Sequence, residues 1–219
     1  MPWLGFFKKI QSSDLFVFLD DVQYEKNWVQ NRNKIRTSDG SIWLTVPVNA
    51  SLNYLLKDIK IENTTNWREK HKKSIQINYS KTTYFKDFWS SLEQIYEKNF
   101  DFLIDVNMEI IKLLMKELQI KTKTIFSSEL EISEKGSDRI LGICKKLGAD
   151  VYLSGMLGSN YLNLKNFEEN GIQVQFQNFQ HPVYEQYYKP FLPNMASIDL
   201  IFNEGKKASK ILQEAKNIA

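Results

Sequence analysis

The chain has 219 residues, 42% hydrophobic and 13% aromatic, with 29 Lys plus Arg against 26 Asp plus Glu and a formal charge of +3. That composition supports a real core, excludes a long disordered region, and gives no basic block of the kind that binds nucleic acid. One cysteine (Cys144) excludes an internal disulfide framework, two histidines (His71, His181) are too few for a metal site, and no apolar run approaches the roughly 20 residues of a membrane span. With no cleavable signal pattern, the expectation is a soluble, cytoplasmic protein without a metal; the cofactor is left open.

Met1 to Ile10 is apolar at once, with Trp3, Leu4, Phe6, Phe7 and Ile10 at mostly helical spacing. Leu15 to Leu19 predicts a buried strand ending in the acidic pair Asp20-Asp21. A buried strand needs neighbours, so one is expected to be missing, or supplied from elsewhere, before residue 1. Val22 to Thr37 is rich in Gln, Asn, Arg and aromatic residues, Ser38 to Ser41 predicts a turn, and Ile42 to Val48 a strand ended by Pro47. Leu55 to Ile61 alternates enough to suggest another strand.

From Trp67 to Leu118 the pattern is helical. Trp67, His71, Ile75 and Tyr79 share one stripe after the capping candidates Thr64, Thr65 and Asn66. Phe85 to Tyr96 and Phe102 to Leu118 give two amphipathic helices. Thr122 to Phe126 predicts a strand, Ser137 to Leu147 a helix closed by Gly148, and Val151 to Leu153 a short strand. Leu164 to Asn170 predicts a helix capped by Gly171, Ile172 to Phe176 a half-exposed strand, and Ser197 to Asn203 an apolar stretch before a polar helix. Strand, helix, strand over residues 122–176 favours the α/β class. The expected architecture is a single domain over 1–219, with a mixed, partly parallel sheet flanked by helices and a possible helical subdomain over 66–120.

The stretch from Val151 to Leu162 breaks from its strand into small and hydroxylated residues, including Ser154, Gly155, Gly158 and Tyr161. Glycine lacks the Cβ that would hold an anion or sugar away from backbone N–H groups. Ligands in open α/β sheets sit at the carboxyl ends of strands, although a tight strand-to-helix turn reads the same way. Asp20 and Asp21 suit holding a hydroxyl or a proton, and strand alternation lets one of them face a cleft; a solvated strand end is the plainer reading. Lys26, Arg32, Lys34 and Arg36 around Trp28, with Asn31, suit a phosphate plus a stacking ring, or an ordinary charged hairpin. His71 reads as a partly exposed helix residue. His181, before Pro182 and near Tyr184, Gln186 and Tyr187, suits a general base. Asp199 opens an apolar helix, where the helix dipole favours a carboxylate for structural reasons.

Pro2-Trp3-Leu4-Gly5-Phe6-Phe7, Asp20-Asp21-Val22-Gln23-Tyr24, Asn31-Arg32-Asn33-Lys34-Ile35 and Trp43-Leu44-Thr45-Val46-Pro47-Val48 form one set of blocks. Trp67-Arg68 with His71, Tyr152-Leu153-Ser154-Gly155, Tyr161-Leu162, His181-Pro182-Val183-Tyr184 with Gln186, and Ser197 to Gly205 continue it. In this order and spacing the chain resembles the WbqC-like family of bacterial O-antigen and surface-polysaccharide synthesis. Members usually begin with a short strand and a Gln-Pro-aromatic motif ahead of the Pro-Trp-Leu-Gly block, so that strand is expected to be absent or to start upstream. The resemblance implies a role in glycan assembly, with transfer of glycine or another acyl group to a sugar.

The first reading is a transferase modifying a nucleotide- or lipid-linked sugar, with His181, Asp20 and Asp21 in acid–base roles. Arg32, Asn31, Lys26, Trp28, His71, Ser154, Gly155, Gly158, Tyr161, Tyr184 and Gln186 are its substrate-binding candidates, and Asp20-Asp21, Arg32 and His181 are expected to converge on the Ser-Gly loop. The alternative is a non-catalytic sugar- or nucleotide-binding component of a complex with other glycan-biosynthesis enzymes; a scaffold with an aromatic docking surface is a third.

Overall fold

A computed structural model describes residues 1–50 and 54–218. Helix α1 (Leu4–Gln11) buries Leu4, Phe7 and Ile10, each three positions apart along one helical face, and leads into strand β1 (Leu15–Phe18). Strands β2 (Arg32–Thr37) and β3 (Gly40–Thr45) form an antiparallel hairpin in which Thr37 faces Gly40. Short strands β4 (Val48–Asn49) and β5 (Lys60–Ile61) pair antiparallel behind it. Three helices follow: α2 (Trp67–Tyr79), α3 (Phe85–Glu97) and α4 (Leu103–Glu117). Next come β6 (Lys123–Phe126), α5 (Gly136–Lys146), β7 (Val151–Ser154), α6 (Leu164–Glu169) and β8 (Gln173–Phe176). Strand β9 (Asn178–Phe179), helices α7 (Ile198–Glu204) and α8 (Lys207–Glu214), and strand β10 (Asn217–Ile218), which pairs antiparallel with β9, close the chain.

The fold is α/β with small parallel and antiparallel sheets, and its strands stand in pairs. Strand β1 pairs parallel with β6, Leu15 opposite Lys123. Strand β7 pairs parallel with β8, and α6 is the crossover between them, as parallel strands require. Helices α5 and α6 end where expected: Gly148 at φ +64° and Gly171 at φ +72° take the left-handed backbone that closes each helix. Two expectations are corrected. Leu55 to Ile61 is a 3-10 turn at Leu56–Asp58 before the two-residue β5, because the Leu56 and Lys57 amides donate to the carbonyls of Val22 and Asp20 at 2.9 and 2.7 Å and leave the strand ladder. Strand β1 is not fully buried: Leu15 is 36% exposed, since only one of its edges has a partner.

One large core runs through α1, the hairpin and α2 to α4, with Phe7, Ile35, Ile75, Leu92, Leu114 and Phe202 fully enclosed. A second cluster joins α5, α6 and β8 through Leu141, Cys144, Leu162, Phe167 and Ile172. Burial pushes the Cys144 thiol up to about 11, so it packs as an apolar group. Among the described residues no helix is long and apolar enough to cross a membrane.

Candidate functional site

Strands β1 and β7, with Gln175 of β8, line one cavity of about 1300 Å3. Asp20 and Leu19 stand at its rim where β1 ends, with Asn33, Lys34 and Trp43 of the hairpin and Met1-Pro2-Trp3 ahead of α1. The carboxyl end of parallel strands is the usual ligand position in this class. Met1 to Trp3 is pinned there: Asn33 Nδ2 donates to the Met1 carbonyl at 2.7 Å, and the Ser197 amide and hydroxyl both donate to the Pro2 carbonyl at 2.9 Å.

Hairpin register builds the cationic part. Lys34 lies directly opposite Trp43, and Arg32 sits diagonally across from it, opposite Thr45. The Lys34 ammonium stands 5.0 Å from the Trp43 ring centre and the Arg32 guanidinium 4.5 Å. Two cations over one half-exposed ring form a ledge that suits a phosphate or a planar ring. Sequence reading named Arg32 and missed Trp43 as its partner. The signal was present: once Ser38-Asp39 is the loop and Thr37 meets Gly40, counting outward places Lys34 against Trp43.

The acidic pair splits in role. The Asp20 carboxylate accepts from the Ser128 amide at 3.0 Å, the Ser128 hydroxyl at 2.6 Å and the Ser127 hydroxyl at 3.2 Å, capping the turn that follows β6. Asp21 accepts from Ser127, and both its carboxylate oxygens accept from the single Nη2 of Arg139 in α5 at 2.6 Å. Burial works against the Asp21 charge, but the Ser127 hydrogen bond and Arg139 outweigh it and hold the carboxyl below its ordinary range. Only Asp20 of the pair lines the cavity.

His181 stands apart in an aromatic cluster, with Phe179, Tyr184 and Phe191 at 6.0, 6.1 and 5.9 Å between ring centres. Its Nδ1 meets the Pro182 carbonyl at 2.9 Å and its Nε2 is buried without a partner; burial lowers its pKa, so the ring is neutral. Phe179 in turn packs edge-on against Trp3 at 5.4 Å, which leaves His181 two rings behind the cavity rim.

Other candidates have structural partners. His71 is buried, not partly exposed: its Nε2 meets the Thr45 carbonyl at 3.0 Å and its Nδ1 the Tyr96 hydroxyl at 3.3 Å, so no ring nitrogen remains for a ligand. Tyr184 and Gln186 are buried, donating to Asp199 at 2.6 and 2.8 Å. Asn31 is buried and donates to the Val46 carbonyl at 2.9 Å. Arg36 is buried and donates to backbone carbonyls, among them Gly40 at 2.7 Å and Pro190 at 2.8 Å. Lys26 and Trp28 are exposed beside the ledge-forming hairpin.

The Ser-Gly stretch is tighter than a ligand cradle needs. Ser154 is fully buried and donates to the Gly155 carbonyl at 3.1 Å; Gly158 donates its own amide to that carbonyl at 2.9 Å. Only the first amides of the 3-10 turn Met156–Asn160 lack an intrahelical carbonyl. Tyr161 is exposed. The expected convergence of Asp20-Asp21, Arg32 and His181 on this loop is therefore corrected: each is held by partners of its own, and of these four only Asp20 lines the cavity, together with Lys34 and Trp43 of the hairpin. Gly158 is required by packing. A Cβ there would lie 1.9 Å from the Ser154 oxygen, so Gly158→Ala should lower stability by about 1–3 kcal/mol in thermal melts. Adding Ser154→Ala should recover part of the loss; no recovery would put the cost on the Leu162 Cδ1 and residue-154 Cβ contacts at 3.1 and 3.2 Å.

An α/β protein whose strands β1 and β7 line one cavity together with part of a cationic, aromatic ledge is the class that this geometry defines. The chain belongs to the WbqC-like protein family, which it matches over residues 1–211. It is 30% identical over 217 residues to the uncharacterized protein Rv1507c of Mycobacterium tuberculosis (strain ATCC 25618 / H37Rv), covering 97% of this chain and 94% of that relative. No solved structure matches it.

Proposed function

We propose that the chain acts in surface-polysaccharide biosynthesis as a transferase on a nucleotide- or lipid-linked sugar, by acyl or aminoacyl (glycine) transfer. The observation that carries this reading is the Arg32–Lys34–Trp43 ledge, of which Lys34 and Trp43 line the same cavity as Asp20. Guanidinium and ammonium neutralise a phosphate linkage while the indole face takes a base or sugar ring. In this reading Asp20 meets an acceptor hydroxyl or amine, while His181, set behind the Phe179 and Trp3 rings, does not reach the cavity and has no acid–base role. Family membership supports the glycan setting.

The test is to incubate the protein with nucleotide sugars and activated acyl donors and follow product mass. Trp43→Ala and Lys34→Ala should each weaken binding about tenfold, as loss of a stacking or cation–π contact of about 1–2 kcal/mol implies. Full turnover in Asp20→Ala would remove its role.

One observation favours a second reading, a sugar- or nucleotide-binding component without chemistry. The Asp20 oxygens are already engaged by Ser127 and Ser128, and those of Asp21 by Arg139. Such a protein would show a ligand-dependent rise in melting temperature and no product.

A further inference from the structure

Lys26, Trp28 and Val29 stand in the turn that precedes β2, and all three are exposed, Trp28 at 51% and Val29 at 58%. The turn is tied down at several points. The Gln30 side chain accepts from the Glu25 amide at 2.8 Å, and Asn107 of α4 donates to the Gln30 carbonyl at 2.9 Å. The Arg32 guanidinium donates to the Asn27 carbonyl. These bonds close the turn on itself and fix it to α4 and β2, so Trp28 and Val29 are held outward on a braced support.

The ledge continues this surface. Arg32 links the turn to Trp43, itself 46% exposed, and Val29 and Trp43 line the same cavity rim. Lys26, Arg32 and Lys34 surround the two indoles and the valine, and among the described residues none of the three cations has an ion-pair partner. Glu25 is the sole acid between residues 22 and 38. Arg36 is spent on backbone carbonyls. A soluble nucleotide sugar would use the ledge and leave Lys26, Trp28 and Val29 in water. Exposed indoles ringed by unpaired cations are instead the chemistry of a membrane interface, where tryptophan settles at headgroup level and Lys and Arg meet anionic lipid.

We propose that the Lys26–Val29 turn and the Arg32–Lys34–Trp43 ledge dock together on an anionic lipid surface, so that the cavity rim faces the membrane and takes the lipid-linked form of the sugar. Trp28 and Val29 enter among the headgroups and Lys26 meets lipid phosphates. Arg32 and Lys34 take the phosphate linkage of the substrate. The choice of substrate rests on the transferase reading above; the docking surface does not, and the two can fail separately.

The test is co-sedimentation of the full chain with vesicles of phosphatidylglycerol and phosphatidylcholine in equal parts, against vesicles of phosphatidylcholine alone. The chain should bind the anionic vesicles at least about tenfold more tightly and release them as salt rises. Lys26→Glu and Lys34→Glu should each weaken binding by about fivefold or more, the ratio for about 1 kcal/mol per basic residue at such a surface. Tryptophan emission should shift to the blue on vesicle addition, and most of that shift should vanish in the Trp28→Phe/Trp43→Phe variant. Ile77→Ser and Lys210→Glu, exposed on α2 and α8, should bind as the parent does. Equal binding to neutral vesicles, no binding at low salt, or an equal loss in the Ile77 and Lys210 variants would overturn the proposal. Nucleotide-sugar binding is measured without vesicles: a chain that binds nucleotide sugar but no vesicles overturns the docking surface and leaves the transferase reading standing. Vesicle binding with no product from a lipid-linked sugar keeps the docking surface and removes the transferase.

Discussion

Asp199→Ala is expected to destabilise the chain by about 3–5 kcal/mol, the range for removing one member of a buried charged network. Asp199 is fully buried at the start of α7 and accepts three hydrogen bonds: from the Tyr79 hydroxyl at 2.8 Å, the Tyr184 hydroxyl at 2.6 Å and the Gln186 amide at 2.8 Å. These partners come from α2 and from the tail between β9 and α7, so one carboxylate joins three parts of the chain. Alanine strands all three donors, each at a desolvation cost of about 1–3 kcal/mol where water cannot enter. At about 2–4 °C per kcal/mol for a chain of this size, the melting temperature should fall by on the order of 10 °C. Burial raises the Asp199 carboxyl, opposed by its three donors. The stability attached to a raised carboxyl is present below the unfolded value near 3.8 and is lost as pH rises through the folded one. At neutral pH, Asp199→Asn should therefore lose less than Asp199→Ala, because it removes a buried charge while keeping one acceptor. An alanine variant that melts within about 2 °C of the parent would mean that the pocket relaxes or floods.

Asp199 also shows what the sequence could carry. Its place at the head of an apolar helix was legible, and the structure puts it in the first turn of α7. Tyr79 lies 120 residues away, and nothing in local spacing announces that contact. The same division holds elsewhere. Helices α2, α3 and α4 announce themselves because their apolar residues recur every three or four positions over at least 13 residues. The α5–β7–α6–β8 stretch is equally plain from its two glycine-closed helices. Residues 55–61 are not, because their amides bond to residues 20–22 instead of a ladder, a decision made by tertiary contacts. For the site, residue types pointed to the carboxyl end of β1 and to Arg32, but not to which groups share a cavity. His181 and Tyr184 read as a polar constellation, whereas in space they pack as aromatic rings around a buried carboxylate network.

His71 should make stability fall as pH drops from about 6.5 to about 4, by on the order of 3 kcal/mol. The imidazole lies in the core at 5% exposure, joining α2 to β3 through the Thr45 carbonyl and to α3 through the Tyr96 hydroxyl. With Nε2–H donating to Thr45 and the Tyr96 hydroxyl donating to Nδ1, both contacts fit a neutral ring. Protonation would turn Nδ1 into a donor facing a hydroxyl that is itself donating, inside a shell of Trp67 and Tyr96 rings at 5.2 and 5.8 Å. Burial is the main cause that lowers its pKa to about 4, and the Thr45 contact only partly offsets it. The sign follows: the unfolded chain takes up this proton near 6.5 and the folded chain near 4, so acid between those values favours unfolding. Asp21 acts in the same direction but lower, since its depressed carboxyl contributes stability above about 3.8 and loses it only as pH falls through the folded value. His181, whose pKa burial also lowers from 6.5, costs stability in the same direction as pH falls, so the two imidazoles share the window and a His71 variant isolates one of them. Urea melts of the parent and of His71→Gln at pH 7 and pH 4.5 separate the contribution. The glutamine variant should be less stable at pH 7, where two buried contacts are weakened, and should lose less on acidification. Parallel losses in the two proteins would assign the acid sensitivity to other groups and leave His71 as a packed ring without a titration role.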